Sequence, residues 1–184
     1  MSLLGERLLA VHDALTDAGR AHAFGGAIAL AYCTGEPRAT RDLDVNIFAA
    51  PAIAREVLSD LPSDVTVGEQ DIEAAEVEGQ VRVWWDDTPI DVFLDLHPFH
   101  AEIAAHTRIV PFEGREIPVL RCTDLAVFKA LLDRTKDWAD IEEMIAAGTL
   151  DVPRVQSWLR QISGASAPGI ARLQKLAGPG AEPA

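Results

Sequence analysis

The sequence predicts an α+β fold in which a mixed sheet is flanked by helices and followed by a helical C-terminal part. Strand-like and helix-like segments alternate over the first two thirds of the chain, whereas the last third carries helical patterns alone. The 184 residues are 48% hydrophobic and 24% charged, an ordinary globular balance that supports a buried core. We therefore expect a core over residues 1–121, a helical part over 122–177 and a disordered tail over 178–184.

An amphipathic helix is predicted at the N-terminus. Apolar residues repeat there at helical spacing: Leu4, Leu8, Val11 and Leu15. Gly19 is a typical helix end, and residues 21–24 predict a short strand. Residues 27–32 are apolar and rich in alanine, which favours a buried helix, and residues 34–41 (TGEPRATR) predict a loop.

The strands of the core are predicted from alternation and from turn residues. Residues 43–48 alternate between apolar and polar side chains, as a strand with one buried face does. Pro51 opens a predicted helix that ends near Leu61. The other core elements predicted are strands at 64–68, 81–85 and 90–96, a helix at 100–106, and a hairpin of 108–112 with 117–120.

Four helices are predicted after the core. They cover residues 124–133, 136–147, 153–162 and 170–177. Thr123 is the expected N-cap of the first, because a threonine hydroxyl can accept a hydrogen bond from a free amide of the first turn. Gly148 is the expected end of the second.

Charge and cysteine content limit the classes of function. The formal net charge is −13, and a uniformly acidic surface repels nucleic acid and anionic membranes. A nucleic-acid substrate would therefore need a local basic patch or bound metal ions. Cys33 and Cys122 have no metal-ligand spacing and predict reduced thiols in a cytoplasmic protein. The sequence predicts neither a signal peptide nor a membrane span.

Two carboxylates lie on one face of the strand predicted at 43–48. Asp42 and Asp44 are two positions apart, which places their α-carbons roughly 6.5 Å from each other on the same side of a strand. Carboxylate oxygens are the ligands that Mg²⁺ prefers, and a pair of metal ions usually needs a third carboxylate from another strand. Asp91, at the start of the strand predicted at 90–96, is the expected third group, with Asp95 as the alternative.

Gly25 and Gly26 lie between a predicted strand and a predicted helix. Because glycine has no side chain, the backbone can turn sharply there and approach a phosphate closely. The amides at the start of the following helix can then bind that phosphate. A lone Asp-x-Asp or Gly-Gly pair is common, but their combination in this order is more specific.

The segments FGGAIALAY and RATRDLDVNIF resemble the first motif of the AbiEii/AbiGii-type nucleotidyltransferases, toxin-like members of the polymerase-beta superfamily. The matching motif positions are Gly25, Gly26, Arg38, Thr40, Asp42 and Asp44. A later segment, CTDLAVFKALLDRTKDWADIEEMI, is similar to the downstream helical region of that family. The resemblance runs from about Phe24 to Trp158.

This resemblance implies the polymerase-beta-like nucleotidyltransferase fold and the transfer of an NMP from an NTP to an acceptor hydroxyl, with release of pyrophosphate. It implies Mg²⁺, with two ions as an option, held by three catalytic carboxylates: Asp42, Asp44 and Asp91. The nucleotide-binding residues implied or expected beside them are Gly25, Gly26, Arg38, Thr40 and Lys129.

The acceptor and the partners stay open at the level of sequence. The toxin-like resemblance favours a tRNA end or a protein as acceptor and implies an antitoxin partner. A small molecule such as an antibiotic is the alternative, and it suits the acidic composition. A relative that binds a nucleotide without transferring it is the non-enzymatic alternative. Lys136, Asp137 and Asp140 predict a structural ion-pair cluster. Trp84 and Trp85 are adjacent on a predicted strand and are expected to face opposite sides, one towards the core and the other as a candidate to stack on a base or an acceptor.

Overall fold

A computed structural model describes residues 2–178. Within that range one mixed sheet has six strands in the order β3-β4-β2-β1-β6-β5. The strands are β1 (His22–Phe24), β2 (Leu43–Ile47), β3 (Gln80–Trp85), β4 (Thr88–Phe93), β5 (Arg108–Phe112) and β6 (Arg115–Val119). The helices are α1 (Leu3–Asp17), α2 (Gly26–Thr34), α3 (Ala54–Ser59), α4 (Glu69–Glu78), α5 (Pro98–Ala104), α6 (Cys122–Leu132), α7 (Thr135–Ala146), α8 (Val152–Ser163) and α9 (Pro168–Ala177).

The chain forms two compact units. The first contains the described residues up to Ile28 and residues 38–120, and the second contains residues 29–37 and those from Arg121 onward. The sequence placed the division between residues 121 and 122, and that division stays a prediction. The predicted disordered tail lies outside the described residues, apart from Gly178. None of the helices in the described range is long and apolar enough to cross a membrane.

The N-terminal helix and the sheet agree with the sequence pattern. Ser2 caps α1 by accepting a hydrogen bond from the amide of Gly5 at 3.1 Å. The core of the sheet lies around β2, which pairs antiparallel with β1 and parallel with β4. The apolar residues of β2 are fully buried: Leu43, Val45 and Ile47. The alternation of the sequence therefore identified the core face of this strand correctly.

The segment between β2 and β3 differs from the prediction. Residues 51–61 form one 3₁₀ turn, Pro51–Ile53, and then α3. The strand predicted at 64–68 is wrong, since only Thr66 makes an isolated bridge, to Trp84. Helix α4 follows and was not predicted, because its acidic sequence buries no more than Ile72 and Ala75 and leaves a narrow apolar stripe.

Strand β4 is shorter than its sequence pattern. It ends at Phe93, whereas the prediction continued to residue 96. Beyond that point the amide of Leu94 donates to the carbonyl of Gly79, and the amide of Asp95 donates to the carbonyl of Ala49. Loop carbonyls have thus replaced a neighbouring strand as hydrogen-bond partners. Leu94 is still buried, but Leu96, the last residue of the predicted strand, is 58% exposed.

The second unit is helical, as the sequence predicts. Helices α6, α7, α8 and α9 bury a shared core that includes Trp138, Ile141, Met144 and Leu159. The predicted N-cap is wrong, because α6 begins at Cys122 and Arg121 precedes it. The hydroxyl of Thr123 instead accepts a hydrogen bond from the amide of Asp151 at 3.1 Å.

The cysteine prediction is also wrong. Cys33, in the last turn of α2, and Cys122, at the start of α6, form a disulfide with α-carbons 5.5 Å apart. Both belong to the second unit, and both side chains are buried. A separation of 89 residues hides such a pair from sequence reasoning, because only the packing of the two helices makes them neighbours.

Candidate active site

Two of the predicted catalytic carboxylates lie side by side on the sheet. Strands β2 and β4 run parallel, and Asp44 is the register partner of Asp91. Neighbouring strands are about 4.8 Å apart, so this register holds the two backbones close together. The flanking residues Val45 and Val92 are fully buried on the other face. Both aspartates are half-buried on the more polar face of the sheet.

Asp42 lies immediately before β2 and is fixed by the loop that precedes it. The hydroxyl of Thr40 donates to Oδ1 of Asp42 at 2.7 Å. A second, longer contact of 3.4 Å joins the amide of Asp42 to the same hydroxyl. Thr40 therefore orders the approach to the strand, while Arg38 lies exposed in the same loop. The position of Thr40 explains how a threonine two residues before an aspartate can set the aspartate's orientation.

Gly25 and Gly26 pack directly against Asp44. The amide of Gly25 donates to the carbonyl of Asp44 at 2.8 Å. Gly26 has a φ of +51°, and a β-carbon added there would lie 1.8 Å from Oδ2 of Asp44. Both the backbone conformation and the space require glycine at this position. The sequence suggested that the glycine backbone approaches a phosphate closely. In the structure this backbone approaches the side chain of Asp44 closely.

Asn46 follows Asp44 on the same face and was not among the predicted site residues. It is 2% exposed, and its Oδ1 has no hydrogen-bond partner within the described residues. A β-carbon on Gly25 would meet its Nδ2 at 3.3 Å. A buried carbonyl oxygen without a partner is uncommon and calls for a reason. The alternation of β2 places Asn46 beside the carboxylates, and that signal could have identified it.

Arg82 is the second residue that the sequence did not indicate. It is the register partner of Asp91 across the β3–β4 hairpin. Its guanidinium donates two hydrogen bonds to Asp91, from Nε to Oδ1 and from Nη2 to Oδ2, both 2.7 Å long. These hydrogen bonds are the main cause of a raised pKa at Arg82, and the charges of Asp42 and Asp44 raise the pKa further. Arg82 therefore lies in the electrostatic field of all three carboxylates.

The two adjacent tryptophans of β3 face opposite sides of the sheet, as predicted. Trp84 is 46% exposed and lies on the same face as Arg82, two residues away. Trp85 is half-buried, and the guanidinium of Arg7 lies 5.6 Å from the centre of its ring. Arg7 in turn forms ion pairs with Asp86 and Asp87 in the hairpin turn.

The carboxylate oxygens of the site are of the type that binds a divalent cation, although they are not arranged around a single point. Within residues 2–178 no three His, Cys, Asp or Glu side chains are grouped so that they could hold a metal ion. Asp91 is engaged by Arg82, and Oδ1 of Asp42 accepts from Thr40. The chemistry of carboxylates in adjacent register nevertheless matches the preference of Mg²⁺, and the unpaired oxygen of Asn46 is a further polar atom there.

Asp95 does not share the register of the other carboxylates. It follows the end of β4, and its Oδ1 lies 4.0 Å from Nδ1 of His100. Burial is the main cause of a lowered pKa at His100, and the charge of Asp95 opposes that shift. The strand geometry therefore favours Asp91 over Asp95 as the partner of Asp44. The catalytic role of either aspartate stays a prediction.

Lys129, a predicted nucleotide ligand, lies in the second unit on α6. Its side chain is 8% exposed, and Nζ lies 2.5 Å from Oδ2 of Asp140 and 3.7 Å from Oδ1 of Asp137. Asp137 also accepts two hydrogen bonds from the guanidinium of Arg134. The ion-pair cluster that the sequence indicated on α7 thus includes Lys129. Its role towards a nucleotide stays a prediction.

The fold defines the class of protein. The structure resembles an antigenic nucleotidyltransferase-like protein from Paracoccidioides brasiliensis, with a TM-score of 0.52 and 16% sequence identity over 94% of each chain. It also resembles the lincosamide antibiotic adenylyltransferase LnuA in its lincomycin-bound crystal structure. That likeness has a TM-score of 0.53 and 15% identity, and it covers 77% of this chain and 96% of the other. The mixed sheet with its helices is therefore a nucleotidyltransferase fold.

The family follows from the sequence match. A family model described as "Nucleotidyl transferase AbiEii toxin, Type IV TA system" matches residues 7–166. The chain belongs to this family and is a nucleotidyltransferase of the AbiEii type. A comparison with curated proteins gave no match. The resemblance drawn from the Gly-Gly and Asp-x-Asp motifs is thus confirmed, together with the fold class.

Proposed function

We propose that the protein transfers an NMP from an NTP to an acceptor hydroxyl in a Mg²⁺-dependent reaction that releases pyrophosphate. The observation that carries this proposal is the packing of Gly26 against Asp44 with Asp91 in register beside it. A tight glycine turn, a carboxylate pair and a helix start are brought together where β1 ends and β2 begins. This is the arrangement that a metal–triphosphate complex requires.

We assign a different role to each carboxylate according to its position on the sheet. Asp42 and Asp44, on or beside β2, would hold the cations that accompany the triphosphate. Asp91, on β4, would complete the site and orient the acceptor hydroxyl. Bound Mg²⁺ would neutralise the triphosphate and make the acceptor oxygen more nucleophilic. The acceptor oxygen would form a bond to the α-phosphorus, and the bond from that phosphorus to the oxygen shared with the β-phosphorus would break. That oxygen would leave with pyrophosphate, and Asp91 would take up the hydroxyl proton.

Backbone amides and basic side chains would bind the phosphates. Helix α2 begins at Gly26 and has no acidic residue in its first turn, so its positive end can receive an anion. Gly25 keeps the turn compact through its hydrogen bond to Asp44. Arg38, exposed in the loop before Asp42, is the further nucleotide ligand that we propose. Thr40 would act by orienting Asp42.

The acceptor that we favour is a tRNA end or a protein, as the toxin family suggests, with an antitoxin as regulatory partner and the cytoplasm as location. A small-molecule acceptor is the second candidate. The observation in its favour is the net charge of −13, because an acidic protein repels a polyanion such as tRNA and attracts a small cation. The two candidates differ in the size of the salt effect, since tRNA binding weakens steeply as salt rises, whereas the binding of a small cation weakens much less.

The test is transfer of label from each α-labelled NTP in Mg²⁺, with total tRNA, cell protein and a panel of cationic antibiotics as separate acceptor pools. Asp44→Asn and Asp91→Asn are expected to abolish transfer. Asp95→Asn is the matched control, because it removes a nearby carboxylate that is out of register with Asp44. It is expected to keep most of the activity.

The outcomes separate the alternatives clearly. Labelling of one pool by the wild type, lost in Asp44→Asn, would establish both the reaction and the class of acceptor. Loss of activity in Asp95→Asn with retention in Asp91→Asn would reassign the third carboxylate. Binding of NTP and Mg²⁺ without transfer to any pool would support a non-catalytic relative. An absence of both binding and transfer would refute the proposed site.

A further inference from the structure

Arg82 places a positive charge on the carboxylate face of the sheet. It lies on β3, an edge strand, and its side chain is 51% exposed. The two hydrogen bonds to Asp91 use both oxygens of that carboxylate. These are the oxygens with which Asp91 would bind a cation in the proposed reaction. The guanidinium therefore occupies a lone pair on each oxygen that Asp91 would offer to a shared metal ion.

Arg82 also lies close enough to the proposed cation site to repel a bound cation. Asp91 lies between Arg82 on one side and Asp44 on the other, because β4 lies between β3 and β2 in the sheet. The three side chains thus form a row across three strands on one face. A divalent cation bound by Asp44 and Asp91 would carry its charge beside the guanidinium, and like charges at that range repel each other.

Because the Arg82 side chain is half-exposed, water can solvate its guanidinium when the ion pair opens. Arg7, in the same unit, provides the contrast, because its side chain is 6% exposed and bound by the hairpin turn. Among the described residues, the hydrogen bonds of Arg82 go to Asp91 alone. A long, half-exposed arginine with one carboxylate partner can rotate towards a nearby anion. A triphosphate beside Asp44 would be such an anion, and a guanidinium binds phosphate oxygens in pairs.

We propose that Arg82 is an exchangeable counter-cation of the active site. It neutralises Asp91 before a divalent cation binds, releases this carboxylate to the cation, and then donates to phosphate oxygens of the bound NTP. The inference rests on the proposed function of the site. It assigns to Arg82 two opposite effects, competition with the metal ion and support of the nucleotide, which a residue with a purely structural role would not have.

The proposal predicts that removal of the Arg82 charge changes the affinity for the metal ion and the affinity for the nucleotide in opposite directions. Arg82→Gln is expected to bind Mn²⁺, used as a probe of the metal site, roughly two- to five-fold more tightly than the wild type, since exposed ion pairs are worth little. The same variant is expected to bind a non-hydrolysable NTP analogue in saturating Mg²⁺ about tenfold more weakly, because charge-assisted hydrogen bonds to phosphate are lost. Both affinities are measured by calorimetry, without turnover.

Two variants serve as controls. Arg115→Gln removes another half-exposed arginine that binds an aspartate through two hydrogen bonds, here Asp13 on α1. It lies on β6, three strands away from β4 in the sheet order, and both affinities are expected to stay unchanged. Arg82→Lys keeps the charge but cannot donate in pairs, so it is expected to leave Mn²⁺ affinity near the wild type and weaken nucleotide binding. Thermal unfolding confirms that each variant is folded.

The result separates this inference from the proposed function. Opposite shifts in Arg82→Gln, with no shift in Arg115→Gln, support the exchange. If the wild type binds Mn²⁺ and the nucleotide while Arg82→Gln changes neither affinity, or weakens both, the role of Arg82 is overturned and the proposed function stands. If the wild type binds neither ligand, the proposed site is refuted and the role of Arg82 with it.

Discussion

The contact between Gly26 and Asp44 yields a prediction whose size can be worked out from the structure. In Gly26→Ala the new β-carbon would lie 1.8 Å from Oδ2 and 2.4 Å from Cγ of Asp44, far inside contact distance. The φ of +51° adds backbone strain, which for an L-residue is about 1–2 kcal/mol. Relief of the overlap requires Asp44 to move, and forced overpacking costs about 1–3 kcal/mol more. We expect a total loss of stability of about 3 kcal/mol.

Gly19→Ala is the matched control for the backbone term. Gly19 has a φ of +70°, and a β-carbon there would meet nothing within 4 Å. We therefore expect a loss of about 1 kcal/mol, from strain alone. For a protein of this size each kcal/mol lowers Tm by about 3 °C, so the two variants should differ by roughly 6 °C in thermal unfolding.

Activity should separate the two variants further. Displacement of a catalytic group by about 1 Å costs on the order of a hundredfold in rate, so label transfer by Gly26→Ala should fall at least that far below the wild type. Gly19→Ala should retain its activity at temperatures where it is folded. The reasoning is refuted if Gly26→Ala loses no more stability than Gly19→Ala and still transfers label at the wild-type rate.

Three more perturbations follow from the structure. Lys129→Met removes the buried ammonium group that binds Asp137 and Asp140, and it should lower the free energy of unfolding by about 3 kcal/mol in urea titrations. Reduction of the disulfide between Cys33 and Cys122 should lower the free energy of unfolding by about 3 kcal/mol, because the disulfide closes a long loop in the unfolded chain. Burial lowers the pKa of His12 and of His22 below the ordinary value of 6.5. The unfolded chain therefore binds more protons below pH 6.5, so stability is retained above that pH and falls as the pH decreases further.

Each of these predictions has an outcome that contradicts it. A Lys129→Met variant as stable as the wild type would show that the buried ion pairs contribute nothing to the fold. An equal effect of reductant on the wild type and on a variant lacking Cys33 would exclude the disulfide as its target. Stability independent of pH between 5 and 7 would contradict the burial of the histidine pair, in which Nδ1 of His12 lies 2.9 Å from Nε2 of His22.

Local patterns were sufficient for much of the fold. The alternation in β2 identified both its buried face and its carboxylate face, because successive side chains of any strand point to opposite sides. The helices of the second unit were predicted from apolar spacing and helix ends. Helix α4 was not predicted, since few of its residues are buried and its sequence resembles a polar loop. Strand β4 was predicted too long, because its apolar alternation runs on to Leu96, although Leu96 is exposed and strand pairing ends at Phe93.

The sequence by itself determined the family, through the glycine pair and the carboxylates that share a strand face, and it supplied the candidate residues of the site. Only the tertiary structure decided which groups meet. Arg82 binds Asp91 because the hairpin register pairs them, and Cys33 reaches Cys122 because two helices pack together. Side-chain direction follows from local backbone geometry, whereas register and packing depend on free energies summed over elements distant in the chain.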